Sequence, residues 1–166
     1  KAHPENKNAL LMKLIAPSFI NLGNPPSLTT CTRDVFEEKH FTIDEVLKIA
    51  KSMASVANHL HNKGIHHGDL YAHNILINNT SEILFGDFGA ATFYDKSSEL
   101  SANIERIEVR AFGCLLEDLL NLVDKSEIEN SKYKALINLM DDCLDSTVNQ
   151  RPNFSDILAK LDSFTL

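Results

Sequence analysis

His66-His67-Gly68-Asp69-Leu70-Tyr71-Ala72-His73-Asn74-Ile75-Leu76-Ile77 is the stretch that decides the fold of this chain. A knot of polar and titratable residues runs into an apolar triplet, Ile75 to Ile77. A second unit follows in mirrored order: Ile83-Leu84-Phe85 leads into Gly86-Asp87-Phe88-Gly89. The two triplets read as short strands, and the turn Asn78-Asn79-Thr80-Ser81 joins them into a small hairpin. One end of that hairpin gathers Asp69, Asn74 and Asp87. Two carboxylates and an amide suit a hard cation carried by a phosphate ester. Mg²⁺ takes oxygen ligands and binds through one or two carboxylates plus phosphates.

Helices surround the hairpin. Thr42-Ile43-Asp44-Glu45 is a capping box, in which the hydroxyl accepts an amide bond and Glu45 reaches back. Apolar residues then recur at Val46, Ile49, Met53, Val56 and Leu60, one helical face that ends at Asn62-Lys63-Gly64. Ile107 to Val123 carries a wide apolar stripe through Val109, Phe112, Leu115, Leu116, Leu119 and Leu120. Ser131 to Leu144 is helical, and Pro152 precedes a last helix over about Phe154 to Phe164. Upstream, Ala9 to Ile15 reads as a buried strand. Pro17, Gly23, Pro25 and Pro26 make a loop of Ala16 to Leu28. Thr29 to Phe36 suits a short helix, and Ala90 to Asn103 is polar and aperiodic, a loop. The fold class is therefore mainly α, a helical bundle with a small β-hairpin, and α+β overall.

The 166 residues suffice for one domain with one core. With 43% hydrophobic and 23% charged residues, the composition is that of an ordinary soluble globular chain. A formal net charge of -7 excludes a broad nucleic-acid or anionic-membrane surface, both of which need clustered Lys and Arg. Cys31, Cys114 and Cys143 are scattered and form no CxxC pair, which points to buried thiols in a reducing, cytoplasmic compartment, with a disulfide as the lesser reading. No apolar run reaches the roughly 18 residues of a membrane span. The first residues lack the apolar segment of a signal peptide and an initiator Met, so a fragment of a longer protein is expected.

The motifs resemble those of protein kinases. His67-Gly68-Asp69-Leu70-Tyr71-Ala72-His73-Asn74 is similar to the catalytic loop H-R-D-L-x-x-x-N, and Asp87-Phe88-Gly89 to the D-F-G segment. Glu108-Val109-Arg110-Ala111-Phe112-Gly113 resembles the central helix of the kinase large lobe. Cys143-Leu144 with Arg151-Pro152-Asn153-Phe154 to Leu158 resembles its closing segment. Leu10-Leu11-Met12-Lys13-Leu14-Ile15 resembles the strand and hinge that contact adenine. Within kinases the motifs look most like bacterial kinase-like domains, including those attached to leucine-rich repeats.

The resemblance implies phosphoryl transfer from ATP, with Mg²⁺, to a protein hydroxyl. Asp69 would be the base that orients the hydroxyl, and Asn74 and Asp87 would hold Mg²⁺ against the phosphates. Leu76 and Met12 would pack about the adenine, Leu14 and Ile15 would offer hinge backbone groups, and His67 and Phe88 would align the two loops. His73 stands where tyrosine kinases place an Arg; it is read either as a γ-phosphate contact or as a surface histidine. The domain expected is a truncated kinase-like unit over residues 1–166: a hinge strand at 9–15, a large lobe at 28–166, and no small lobe with its Gly-rich loop. Its partners would be ATP and a protein substrate or the missing small-lobe region.

Several departures matter. Gly68 replaces the Arg that receives an activation-loop phosphate, so that switch is not expected. No A-P-E follows the short 90–103 segment, which leaves Arg151 with Glu99, Glu105 or Glu108 as candidate partners. Glu108 replaces the Asp that braces the catalytic loop. Tyr71 takes the place of the usual Lys. These departures keep two other functions open: a pseudokinase serving as a binding scaffold, and a small-molecule phosphotransferase, since His-Gly-Asp-Leu also resembles aminoglycoside and choline kinases. The clustered His59, His61, His66 and His67 raise a zinc site, which the helical spacing of His59 and His61 argues against.

Overall fold

Helix α1, Ile43–Asn62, begins where the sequence places it. Thr42 Oγ1 accepts the Glu45 amide, and the Glu45 carboxylate accepts the Thr42 amide at 2.9 Å. Its buried face carries Val46, Ile49, Ala50, Met53 and Ala57 into the core. Asp44 and Glu45 sit in the first turn, on the favourable side of the helix dipole. The chain leaves the helix through Lys63 and Gly64, the latter at φ +68°.

The computed structural model describes residues 12–30 and 32–164. Among them are four α-helices and two small antiparallel sheets. Strand β1 is Ile20–Asn21, β2 Ile65–His66, β3 Ile75–Ile77, β4 Ile83–Phe85 and β5 Thr92–Phe93. One sheet has the order β1-β3-β4, with Ile75 opposite Phe85 and Ile77 opposite Ile83; β2 pairs with β5 in the other. Helices α2, Ser101–Asn121, α3, Ser131–Leu144, and α4, Phe154–Ser163, complete the layer around α1. Phe112, Leu116, Leu119, Leu136, Leu139, Phe154 and Ile157 are fully buried at the helix junctions. A Cβ on Gly113 would lie 2.9 Å from Cys143 Cβ, so glycine sets the close approach of α2 to α3.

The hairpin, α1 and α3 match the sequence reading, and α4 differs only by ending one residue sooner. Five expectations are corrected. Residues 9–11 lie outside the described residues, and Met12 to Ile15 form no strand and lie exposed, because no described strand pairs with them. The 16–28 loop contains β1, which forms by pairing with β3 rather than by any pattern of its own. The segment from Thr29 to Phe36 makes turns and coil in its described residues, not a helix. The 90–103 loop contains β5, and α2 starts at Ser101, six residues before Ile107. Those first turns carry no apolar stripe because they lie outside the core, where Ile107 itself is exposed. Finally, Arg151 takes no carboxylate partner among the described residues: its guanidinium donates to the Asp145 and Arg106 carbonyls, at 2.8 and 3.2 Å.

Cys114 and Cys143 are free thiols, and burial pushes the Cys143 thiol up to about 12. Among the described residues no helix is long and apolar enough to cross a membrane.

Candidate functional site

The hairpin register brings the site together. With Ile75 opposite Phe85, the Gly86 amide donates to the Asn74 carbonyl at 3.0 Å. Asn74 and Asp87 therefore leave the two strands side by side. Asp87 adopts a left-handed backbone, φ 54° and ψ 71°, and its Oδ1 accepts the Gly89 amide at 3.2 Å. A left-handed Asp is tolerated because its short side chain can bond locally. Asn74 turns its amide group toward Asp69: Nδ2 donates to the Asp69 carbonyl at 3.0 Å and to Oδ2 at 2.8 Å. Two bonds to the amide nitrogen identify which side of the Asn74 side chain is oxygen. That oxygen and the second Asp87 oxygen take no hydrogen bond within the described residues.

A buried carboxylate holds the 67–74 loop from behind. Glu108, on α2, is 2% exposed. Its Oε1 accepts the His67 and Gly68 amides, both at 3.1 Å, and its Oε2 meets His61 Nε2 at 2.7 Å. Burial alone would raise the Glu108 pKa. The hydrogen bond from His61, the nearby His66 and His61 rings and the Gly68 amide outweigh it, so the carboxyl lies below its ordinary range. The longer Glu thus performs the brace expected at this position.

His67 links the two loops. It is fully buried, and its Nε2 donates to the Gly86 carbonyl at 3.1 Å. Its ring stacks on Phe85 at 4.0 Å and meets Phe88 edge-on at 4.7 Å. Burial lowers its pKa, which keeps the ring neutral. Gly68 sits at φ +80°, and a Cβ there would lie 2.9 Å from the Ala90 carbonyl oxygen. The segment after Asp87 packs directly onto this backbone, so the position excludes the Arg of the usual motif.

Met12, Leu14, Ile15, Leu76, Asn74 and Asp87 all line one cleft of about 790 Å³. Its floor is the hairpin and its outer wall the extended chain at 12–16. Asp69 is half-buried beside it. His73 is turned elsewhere: its Nδ1 meets Asp34 Oδ1 at 3.1 Å, and its ring stacks on Tyr71 at 5.4 Å. Sequence reasoning missed Asp34, which lies in a segment with no periodicity or motif. It also considered His61 only as a zinc ligand. Among the described residues no group of three or more His, Cys, Asp or Glu is placed to hold a metal ion, and His61 is committed to Glu108.

Comparison with known proteins agrees with this arrangement. The model of the protein kinase domain family matches residues 20–111, more than half of the chain. The serine/threonine/tyrosine-protein kinase HT1 of Arabidopsis thaliana is 23% identical over 164 residues, covering 77% of this chain and 42% of that protein. The serine/threonine-protein kinase A-Raf of Sus scrofa is 24% identical over 171 residues, covering 75% and 28%. The CTD kinase subunit alpha of Schizosaccharomyces pombe is 38% identical over 64 residues, covering 39% and 10%. The chain spans less than half the length of each of these relatives. The catalytic-loop and Asp-Phe-Gly motifs, the Glu108 brace beneath them and the family match lead to one conclusion: this chain belongs to the protein kinase family.

Proposed function

We propose that this chain is the large-lobe part of a protein kinase-like domain that transfers the γ-phosphoryl group of ATP to a protein hydroxyl, acting within a longer chain. The observation that carries this reading is the Asn74 side chain. Its nitrogen is spent on Asp69, which leaves its oxygen, beside Asp87, for a cation at the mouth of the cleft. Two hard oxygens on a shared edge fit Mg²⁺, which keeps several waters and completes its shell with substrate phosphates. When bound, Mg²⁺ would neutralise charge on the phosphates. Asp69 would orient the attacking hydroxyl and take its proton as that oxygen bonds to the γ-phosphorus and the bond to the β-phosphate oxygen breaks. Met12, Leu14, Ile15 and Leu76 offer the adenine an apolar lining. The bacterial, leucine-rich-repeat-associated subgroup is part of this proposal and rests on the motif resemblance; a cytoplasmic setting is also part of it and rests on the scattered thiols.

The test compares the parent protein with its Asp69→Asn variant, given ATP, Mg²⁺ and a generic protein acceptor. Transfer should fall by roughly 10²-fold or more, the usual contribution of a positioned base. Equal transfer by both proteins would sink the proposal.

A second reading, a binding scaffold without transfer, is favoured by the open outer wall, where Met12 is 76% and Leu14 91% exposed. Thermal unfolding with and without Mg-ATP separates the two. A stabilisation of several degrees that Asp87→Ala abolishes counts against a scaffold that ignores nucleotide.

A further inference from the structure

Asn74 owes its position to a short turn, Ala72–Asn74, that has no cap of its own: Tyr71 precedes it without a side-chain hydrogen bond. The missing acceptor comes from far away in sequence. The Asp34 side chain is 3% exposed and lies under this turn. Its Oδ2 accepts the Ala72 amide at 2.6 Å, and its Oδ1 accepts the His73 amide at 3.3 Å and meets His73 Nδ1 at 3.1 Å. We propose that Asp34 is a positioning residue for the metal-binding edge of the cleft: its buried carboxylate fixes the backbone that aims Asn74. The inference rests on the reading of Asn74 as a metal ligand.

The surroundings show that Asp34 is itself anchored. Its neighbour Arg33 reaches α2, with a guanidinium nitrogen 2.8 Å from Glu117 and a second ion pair to Asp118. The Val35 carbonyl accepts the Asn24 amide at 2.7 Å. On that same strip, Gly23 donates to the Ala72 carbonyl at 3.1 Å and Leu22 to the Ile75 carbonyl at 2.8 Å. The segment before α1 thus clasps the turn from two sides and ties it to α2. A carboxylate this buried is tolerable only while its donors are in place, so turn and carboxylate hold each other. Asn74 spends its amide nitrogen on Asp69 at 2.8 Å, so a rotation of the turn would displace the metal oxygen and the base together. His73, engaged through Nδ1 and stacked on Tyr71, is part of this clasp.

Mn²⁺ with ATP serves as the probe, with affinity read by electron paramagnetic resonance on the full chain, for wild type, Asn74→Ala and Asp34→Asn. An asparagine at 34 keeps the shape and loses an acceptor and the charge. Both variants should weaken Mn²⁺ binding, Asp34→Asn by about 10-fold, as is usual for residues that orient metal ligands. If Asn74→Ala weakens binding and a folded Asp34→Asn does not, the positioning role is overturned and the site reading stands. If Asn74→Ala binds Mn²⁺ as wild type does, the site reading fails and this inference with it. Amide exchange on the wild-type chain gives a check that survives a misfolded variant. The Ala72 and His73 amides should be protected although they lie in a loop, and fast exchange of both overturns the clasp.

Discussion

The two walls of the cleft are built on opposite principles. The inner wall, from His66 to Ala90, is held by buried polar groups with specific partners: Glu108 on the His67 and Gly68 amides, His67 on the Gly86 carbonyl, Asp34 on the 72–74 turn. The outer wall, Met12 to Ala16, has no strand pairing among the described residues and lies exposed. The phosphoryl transfer proposed for this cleft would tolerate displacements of well under an ångström, so its residues would need a wall fixed by directional bonds. An apolar lining for a flat ring needs only contact, which is non-directional.

This contrast can be broken most directly at its strongest point. Glu108→Ala leaves the His67 and Gly68 amides and the buried His61 ring without their acceptor. We expect a loss of about 3–5 kcal/mol, as when one partner of a buried charged pair is removed, measured by urea unfolding. A loss under about 1 kcal/mol would show that the brace is not what holds the inner wall. Gly68→Ala comes next. It places a Cβ 2.9 Å from the Ala90 oxygen at φ +80°, and should cost about 2–3 kcal/mol. A variant as stable as wild type would mean that the 88–92 segment is free to move away.

Acid should sharpen the comparison, because titration acts on the inner wall. The folded His67 pKa lies below its ordinary 6.5, so the unfolded chain binds the extra proton first. Stability from this group is therefore present above about pH 6.5 and is lost as pH falls through the lower, folded value. Glu108, also depressed, adds a second loss below its ordinary 4.5. Urea midpoints should fall on acidification in both ranges, and Glu108→Gln should remove the lower one. A midpoint flat from pH 7 down to about pH 3 would contradict both. The smallest effect belongs to the outer wall: Leu14→Ala, at an exposed position, should change stability by less than about 0.5 kcal/mol, while weakening nucleotide binding if Leu14 lines the adenine site. A large stability change would show that the outer wall is structured after all.

The legible parts of the sequence were those governed by neighbours along the chain. The Thr42–Glu45 capping box and the α1 stripe are contacts three or four residues apart, and α1 begins where they say. The β3 and β4 triplets are set by a turn of four residues, and their bounds match. Asn74 and Asp87, the donors proposed for a cation, stand in motifs that are readable because their spacing is short. Strands β1, β2 and β5, two residues each, escaped because so short an element has no period to detect. The first turns of α2 escaped because an exposed helix start carries no apolar face.

What the sequence determined by itself was the order of the four long helices, the hairpin and the set of oxygen donors at one end of it. The tertiary structure decided which distant groups stand behind those donors. Arg151 had three glutamates to choose from and took two backbone carbonyls; Asp34 emerged from an unpatterned segment to cap a turn 38 residues away. Charged and polar side chains take whichever partner the fold brings within about 3 Å once water is excluded. Periodicity and capping depend on spacing along the chain, and these pairings depend on proximity in space, which no local pattern encodes.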